Sequence, residues 1–265
     1  MPRQINPTLR DQLIRGNLLP LLTHIKSDPE LRLEVRTGGE AFVYYRKGKA
    51  LEIGSLKVDR KYGNVPPCEL AVTNPSQYFD QIKLSIDSWV KKKRDRAEFD
   101  SQQKIAASNQ SVDDKYLIID MEYQFEQHQI DVEARESGAG FDLLGVDRKS
   151  GRVVLFELKR GLNAWRNGTS NIEKHISDYE TFMQGNNSRL FRENLNTDVR
   201  NILEDKIALG LIDNYEIADL PEIIDPEFVV LYHHKEYSER RVVLKDLNDR
   251  YKLIFISPKE GYKLK

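Results

Sequence analysis

Apolar positions change their spacing several times along the chain, and each change marks an element. Between Leu13 and Ile25 a leucine-rich stretch predicts an opening helix. The spacing then drops to two. Leu31-Arg32-Leu33-Glu34-Val35-Arg36 alternates apolar with charged residues, Thr37-Gly38-Gly39 signals a turn, and Ala41-Phe42-Val43-Tyr44-Tyr45 is aromatic and β-rich. With Ala50-Leu51-Glu52-Ile53 after Lys47-Gly48, these runs predict a small meander. Thr73-Asn74-Pro75-Ser76 places a polar cap before a proline at the first helical position. Phe79, Ile82, Ile86, Trp89 and Val90 then recur at three- and four-residue spacing, which predicts a long helix.

Beyond Asn109 the pattern turns to strands, then helices, then strands. Strands are expected at Tyr116–Ile119 running into Asp120–Phe125, at Phe141–Val146 and at Val153–Leu158, and helices at about Asn171–Gln184 and Asn194–Leu209. An acidic segment, Leu211–Glu227, holds six carboxylates and no Lys or Arg, and strands at Phe228–Tyr232 and Leu253–Ile256 follow. The order helix, three strands, helices, strand predicts an α/β fold with a mixed central sheet flanked by helices. The meander before it predicts a small N-terminal α+β accessory domain. The expected boundaries are 1–72 and 73–265.

Composition narrows the class. The 41 Lys and Arg stand against 42 Asp and Glu, so no global basic field advertises a nucleic acid, and such a partner has to be met by a local patch. The first 72 residues carry 12 basic and 8 acidic residues against 29 and 34 in the rest, a mild asymmetry. A single cysteine, Cys68, excludes an internal disulfide and a thiolate zinc cluster and points to the reducing cytoplasm. The N-terminus lacks the apolar core of a signal peptide, and no apolar run approaches the ~18 residues that cross a bilayer, so no membrane partner is expected. Lys91-Lys92-Lys93-Arg94-Asp95-Arg96 reads first as a solvated helix face.

Candidate chemistry is concentrated between Phe141 and Lys159. Two β runs flank the polar stretch Arg148-Lys149-Ser150-Gly151 and predict an antiparallel hairpin. With a four-residue loop Asp147 faces Arg152, and counting outward puts Asp142 opposite Glu157. A loop one residue longer or shorter would move Asp142 to the wrong face. Alternation places Glu157 and Lys159 on one side of the strand, with Phe156 and Leu158 on the other. Two carboxylates buried together repel one another, and a divalent cation is the usual compensation. Mg²⁺ or Mn²⁺ takes such oxygen ligands and keeps waters that can attack a phosphodiester. A bare Glu-x-Lys is more often an ordinary charged strand edge. Here Val153-Val154-Leu155-Phe156 is apolar on both faces, which marks a central strand.

Phe141-Asp142, followed after fourteen residues by Glu157-Leu158-Lys159-Arg160-Gly161, resembles the PD-(D/E)XK nuclease superfamily, whose fold is restriction-endonuclease-like. The wording from about Gly138 to Gly161 is similar to the NucS-type mismatch endonucleases; compatible element order extends over about Asn74–Ile256. The resemblance implies a Mg²⁺- or Mn²⁺-dependent endonuclease acting on DNA. Asp142 and Glu157 would be metal ligands with the Leu158 carbonyl as a third, Lys159 would assist the attacking water, and a homodimer would be expected. Phe141 stands where the superfamily's name has Pro. Members carry Gln and Tyr four residues apart on the following helix, which maps onto His175 and Tyr179. An upstream Glu is also implied, with Glu122 first, Glu98 second and Glu133 third in order of choice.

Between strand and helix, Arg160 to Ser170 reads as a flexible loop in which Arg160 and Arg166 meet phosphates and Trp165 stacks on a base, extended by Lys174 and Arg189. The equal alternative is a surface loop whose Trp packs on the helix. Two rivals stand beside the nuclease: a nuclease-fold module that binds nucleic acid or assembles without cleaving, and a structural domain whose N-terminal meander binds a protein.

Overall fold

The computed structural model of the chain describes residues 2–46, 48–92, 97–124, 140–166, 171–185, 188–212, 220–221, 225–246 and 251–265, the side chains at 97–99 excepted. Two compact units emerge, one of Met1–Gln103 with Thr197–Ile217, the other of Lys104–Asn196 with Ala218–Lys265. The expected line after Val72 falls inside the first unit, because the helix that starts at Pro75 buries its apolar stripe there. Among the described residues no helix is long and apolar enough to cross a membrane.

In the first unit the leucine-rich stretch forms two helices, α1 (Pro7–Arg15) and α2 (Leu19–Ser27), where a single helix is predicted. Pro20, at the start of α2, has no N–H to offer residue 16 and its ring crowds that carbonyl, so one helix cannot run through. The meander is present as β1 (Leu31–Val35), β2 (Ala41–Tyr45) and β3 (Gly48–Glu52), antiparallel throughout. After the short α3 (Leu70–Thr73) comes α4 (Pro75–Lys92). Asn74 Oδ1 accepts the Gln77 N–H at 3.2 Å, and Tyr78, Phe79, Ile82 and Ile86 are buried, as cap and spacing predict. Lys91 and Lys92 are exposed, and 93–96 lie outside the described residues.

Charge is buried in this unit. Glu34 is fully buried in β1; its Oε2 accepts from Lys206 Nζ at 2.6 Å and its Oε1 pairs with Arg32 Nε. The N-terminal backbone is held in the same way: the Arg3 N–H donates to Asp198 Oδ1 at 2.8 Å and the Ile5 N–H to Asp205 Oδ2 at 2.6 Å. Burial pushes the Asp205 carboxyl above its ordinary value, against the hydrogen bonds from Ile5 and Arg10.

The second unit holds a five-stranded mixed sheet in the order β4 (Tyr116–Gln124), β5 (Gly140–Asp147), β6 (Val153–Arg160), β7 (Glu227–His233), β8 (Lys252–Ile256). The first two pairings are antiparallel and the last two parallel. Helices α6 (Gly161–Arg166), α7 (Ile172–Gln184) and α8 (Ser188–Ala208) intervene between β6 and β7, and α9 (Glu239–Asp246) between β7 and β8. β6 is buried from Val153 to Lys159, as a central strand must be. Before the sheet, α5 (Ala97–Ser108) is an element the sequence pattern did not announce, as is α9. The alternating hairpin pattern is realised in the predicted register, with Val146 opposite Val153 and the Asp147 N–H donating to Arg152 O at 2.8 Å. Asp147 Oδ1 accepts the N–H groups of Lys149 (3.1 Å) and Ser150 (3.0 Å), and Gly151 at φ 69° closes the turn in a conformation that favours glycine.

Lys206→Met leaves the Glu34 carboxylate buried beside one donor fewer and is expected to lower the unfolding free energy by about 3 kcal/mol, most of it regained when Glu34→Gln is added. Urea denaturation of the single and double variants measures both steps.

Candidate active site

Extending the β5–β6 register puts Asp142 at the position opposite Glu157, although the backbone ladder itself ends at Leu143–Phe156. Past that point a side chain replaces the ladder: Asp142 Oδ2 accepts the Leu158 N–H at 2.6 Å. The carboxylate thereby keeps the end of the hairpin closed and is held against the strand that carries Glu157 and Lys159.

Those two residues are almost fully enclosed, with side-chain exposures of 4% for Glu157 and 5% for Lys159, and Lys159 Nζ donates to Glu157 Oε1 at 2.7 Å. The pair spans i and i+2 on one face of β6 at its C-terminal end, and in the parallel ladder Lys159 lies beside Tyr232 of β7. A second nitrogen approaches the same oxygen, since His175 Nδ1 on α7 lies 3.2 Å from Glu157 Oε1. α7 is positioned by Asn171, whose Oδ1 accepts the Lys174 N–H at 3.0 Å, and by Ile172, Ile176 and Phe182, buried on one stripe. The structure thus brings Asp142, Glu157, Lys159 and His175 to one end of the hairpin.

Other expected site residues go elsewhere. Tyr179, one turn from His175, stacks on Phe228 at 4.9 Å and its hydroxyl donates to Pro226 O at 2.7 Å; burial pushes its phenol up to about 12, so it is a neutral packing residue. Glu122 is exposed, whereas Asp120, two residues before it, is fully buried with Oδ1 accepting the Met121 N–H at 2.9 Å. The reason is local: the β4–β5 register shifts between Ile118 and Asp120, and Glu122 sits at φ 53°, an uncommon conformation for a side-chain-bearing residue. The lower-ranked Glu133 and the side chain of Glu98 lie outside the described residues.

Within the stretch expected to be a loop, Arg160 ends β6, Gly161–Arg166 form helix α6, and 167–170 lie outside the described residues. Trp165 is 2% exposed, meets Tyr232 and Tyr251 edge to face at 5.4 and 6.3 Å, and its Nε1 donates to Asp246 Oδ2 at 3.3 Å. Buried in this way, Trp165 presents no open ring face to a base, and it packs from a helix against Tyr232 and Tyr251, where the alternative had a surface loop with the Trp on the following helix. Arg166 donates to both Asp246 oxygens, at 2.8 and 2.9 Å, which commits its guanidinium to α9. Arg160 ends β6 half-buried beside His233 of β7, Lys174 is exposed, and Arg189 is almost fully exposed and paired with Glu193.

Among the described residues no group of three or more His, Cys, Asp and Glu is gathered to hold a metal ion. The hard oxygen donors at the hairpin end are the Asp142 and Glu157 carboxylates.

Trp165→Ala is expected to cost about 3–5 kcal/mol of stability, as for a core aromatic, while Arg166→Ala, which removes a half-exposed pair, costs below about 1 kcal/mol. Asp142→Ala is expected to cost about 1–3 kcal/mol by stranding the Leu158 N–H, and Asp142→Asn, which keeps an acceptor, less. Denaturant unfolding of the four variants ranks them.

Comparison of the chain with protein-family models, with curated proteins and with solved structures gives no match, so function has to be read from the residues around Glu157.

Proposed function

We propose that the chain is a Mg²⁺- or Mn²⁺-dependent endonuclease that hydrolyses phosphodiester bonds in DNA, on a restriction-endonuclease-like core. The observation that carries this reading is the buried Glu157–Lys159 pair at the end of a central strand, with Asp142 held against the same strand by the Leu158 N–H. The contact between two charges on one strand joins no second element, and their burial is costly. A reactive centre accounts for such a pair better than packing does.

The donor set fits the ion. Two carboxylates supply the hard oxygens that Mg²⁺ prefers, and Mg²⁺ is commonly held by one or two carboxylates while keeping several waters. Asp142 and Glu157 would hold it, with the Leu158 carbonyl as a further ligand. When bound, the ion supplies Lewis-acid stabilisation of the scissile phosphate and a water of lowered pKa.

The chain's own groups do the rest. Lys159 is placed to orient the attacking water and to offset negative charge on the pentavalent phosphorus, where a preorganised ammonium in a shielded site counts for more than in bulk water. The Asp142 hydrogen bond to Leu158 fixes one carboxylate against the strand. His175, beside Glu157 Oε1, positions the other carboxylate and lies on the helix that borders the site. Tyr179 stays with the packing and takes no chemical part.

Lys159→Met, Glu157→Gln and Asp142→Asn are each expected to lower Mg²⁺-dependent cleavage of DNA by about 10²-fold or more, while Tyr179→Phe stays within a few-fold of wild type. Cleavage assays at matched folding measure this, and a Lys159→Met variant that cuts like wild type overturns the mechanism. Calorimetric titration with Mn²⁺ in the presence of DNA is expected to lose its signal in Asp142→Ala and Glu157→Ala. Binding of DNA in EDTA with no cutting under any divalent ion would instead favour the non-cleaving module.

A further inference from the structure

With Trp165 in the core, one aromatic ring among the described residues of the second unit is still exposed to solvent. Tyr237, in the turn between β7 and α9, is 72% exposed, the most exposed large apolar side chain among the described residues. Its ring is backed by cations and edges rather than by core: the Arg240 guanidinium lies 5.1 Å from its centroid and 4.4 Å from that of Phe255, and His234 meets it edge to face at 6.3 Å. The turn is held from beneath by Glu239, whose Oε2 accepts the Lys235 N–H at 2.9 Å and the Tyr232 hydroxyl at 3.0 Å. An exposed ring on a fixed turn is a preorganised surface.

Between His234 and Asp246 four basic residues stand against three acids. Glu239 is committed to Tyr232 and Lys235, Asp246 to Trp165 and Arg166, and the exposed Glu236 accepts from Ser238 Oγ at 3.5 Å, while Lys235, Arg241 and Lys245 are exposed. Among the described residues no carboxylate pairs with the Lys235 ammonium, and His234 Nδ1 is shielded from solvent without a hydrogen-bond partner. The patch adjoins the proposed catalytic end of β6. A Cβ placed on Gly161 would fall 3.0 Å from Lys235 Cε and 3.3 Å from its Nζ, so the Lys235 side chain lies over the backbone two residues past Lys159. Gly161, at φ 78°, both turns the chain there and leaves the room.

We infer that the β7–α9 turn is a binding subsite for a single nucleic-acid strand, with an unpaired base stacked on Tyr237 and a backbone phosphate met by Lys235. This deepens the nuclease reading and rests on it for the class of ligand. Stacking on an aromatic face needs a base released from its partner, and a lone ammonium meets phosphate as a point charge. The subsite therefore selects a single-stranded segment next to the scissile bond over continuous duplex.

Fluorescence anisotropy of a labelled oligodeoxythymidylate in EDTA, which holds cleavage off, tests it. Wild type is expected to bind, Tyr237→Ala to weaken binding about ten-fold, and Tyr237→Trp to restore it. Lys235→Gln is expected to weaken binding and reduce the slope of log affinity on log salt by about 0.7, one phosphate contact on a single strand. Equal affinity in Tyr237→Ala and wild type overturns the subsite, as does absence of binding by wild type. Both positions are exposed, and circular dichroism checks the folding of the three variants. Oligonucleotide that is bound through Tyr237 but left uncut with Mg²⁺ and Mn²⁺ would overturn the nuclease reading and leave the subsite standing.

Discussion

The turn at Asp147 sets the parity on which the second unit depends. Its carboxylate gathers the N–H groups of Lys149 and Ser150, Gly151 takes the left-handed conformation that closes the loop, and the loop is thereby fixed at four residues. In a structure with period two, loop length decides which face every later residue occupies. One residue more would carry Asp142 away from the position opposite Glu157 and put an apolar neighbour there. The acidic pair at the far end of the hairpin is thus specified at its turn, and the Asp142–Leu158 hydrogen bond takes over where the backbone ladder stops.

Among the described residues two Glu–Lys pairs are buried, and they do different work. Glu34 and Lys206 are far apart in sequence, so their contact joins β1 to α8 inside the first unit and returns fold specificity for the desolvation it costs. Glu157 and Lys159 are two residues apart on one strand, so their contact joins nothing that the strand does not already join. Their enclosure by β7 and α7 raises the strength of every electrostatic interaction between them without adding to the topology.

Strong periodicity was legible in the sequence. The meander, α4 with its cap at Asn74, the three antiparallel strands, α7 and the two parallel strands follow from spacing, and the hairpin count placed Asp142, Glu157 and Lys159 correctly. What was not legible lacks a periodic signal. α5 and α9 carry apolar residues too sparsely to announce themselves, and α6 hides behind a glycine and asparagine that read as loop. Trp165 looked like a surface aromatic only because its partners, Tyr232 and Tyr251, lie far along the chain. The left-handed backbone at Glu122 comes from the irregular register of β4, which no residue type there betrays. Tyr237 carried no signal either, since exposure is a property of the folded turn.

The tethering of Arg3 and Ile5 to Asp198 and Asp205 spans 195 and 200 residues, and it has a consequence for how the protein is made. The ribosome releases the first segment long before its acceptors exist. The meander can pair early from local contacts, yet Glu34 must wait for Lys206 before its charge is answered, so the first unit, begun first, is completed only after the second unit's hairpin and central strand have emerged. The strands β7 and β8 follow Ile217 in the chain, so the second unit is completed later still and synthesis of the two units is interleaved.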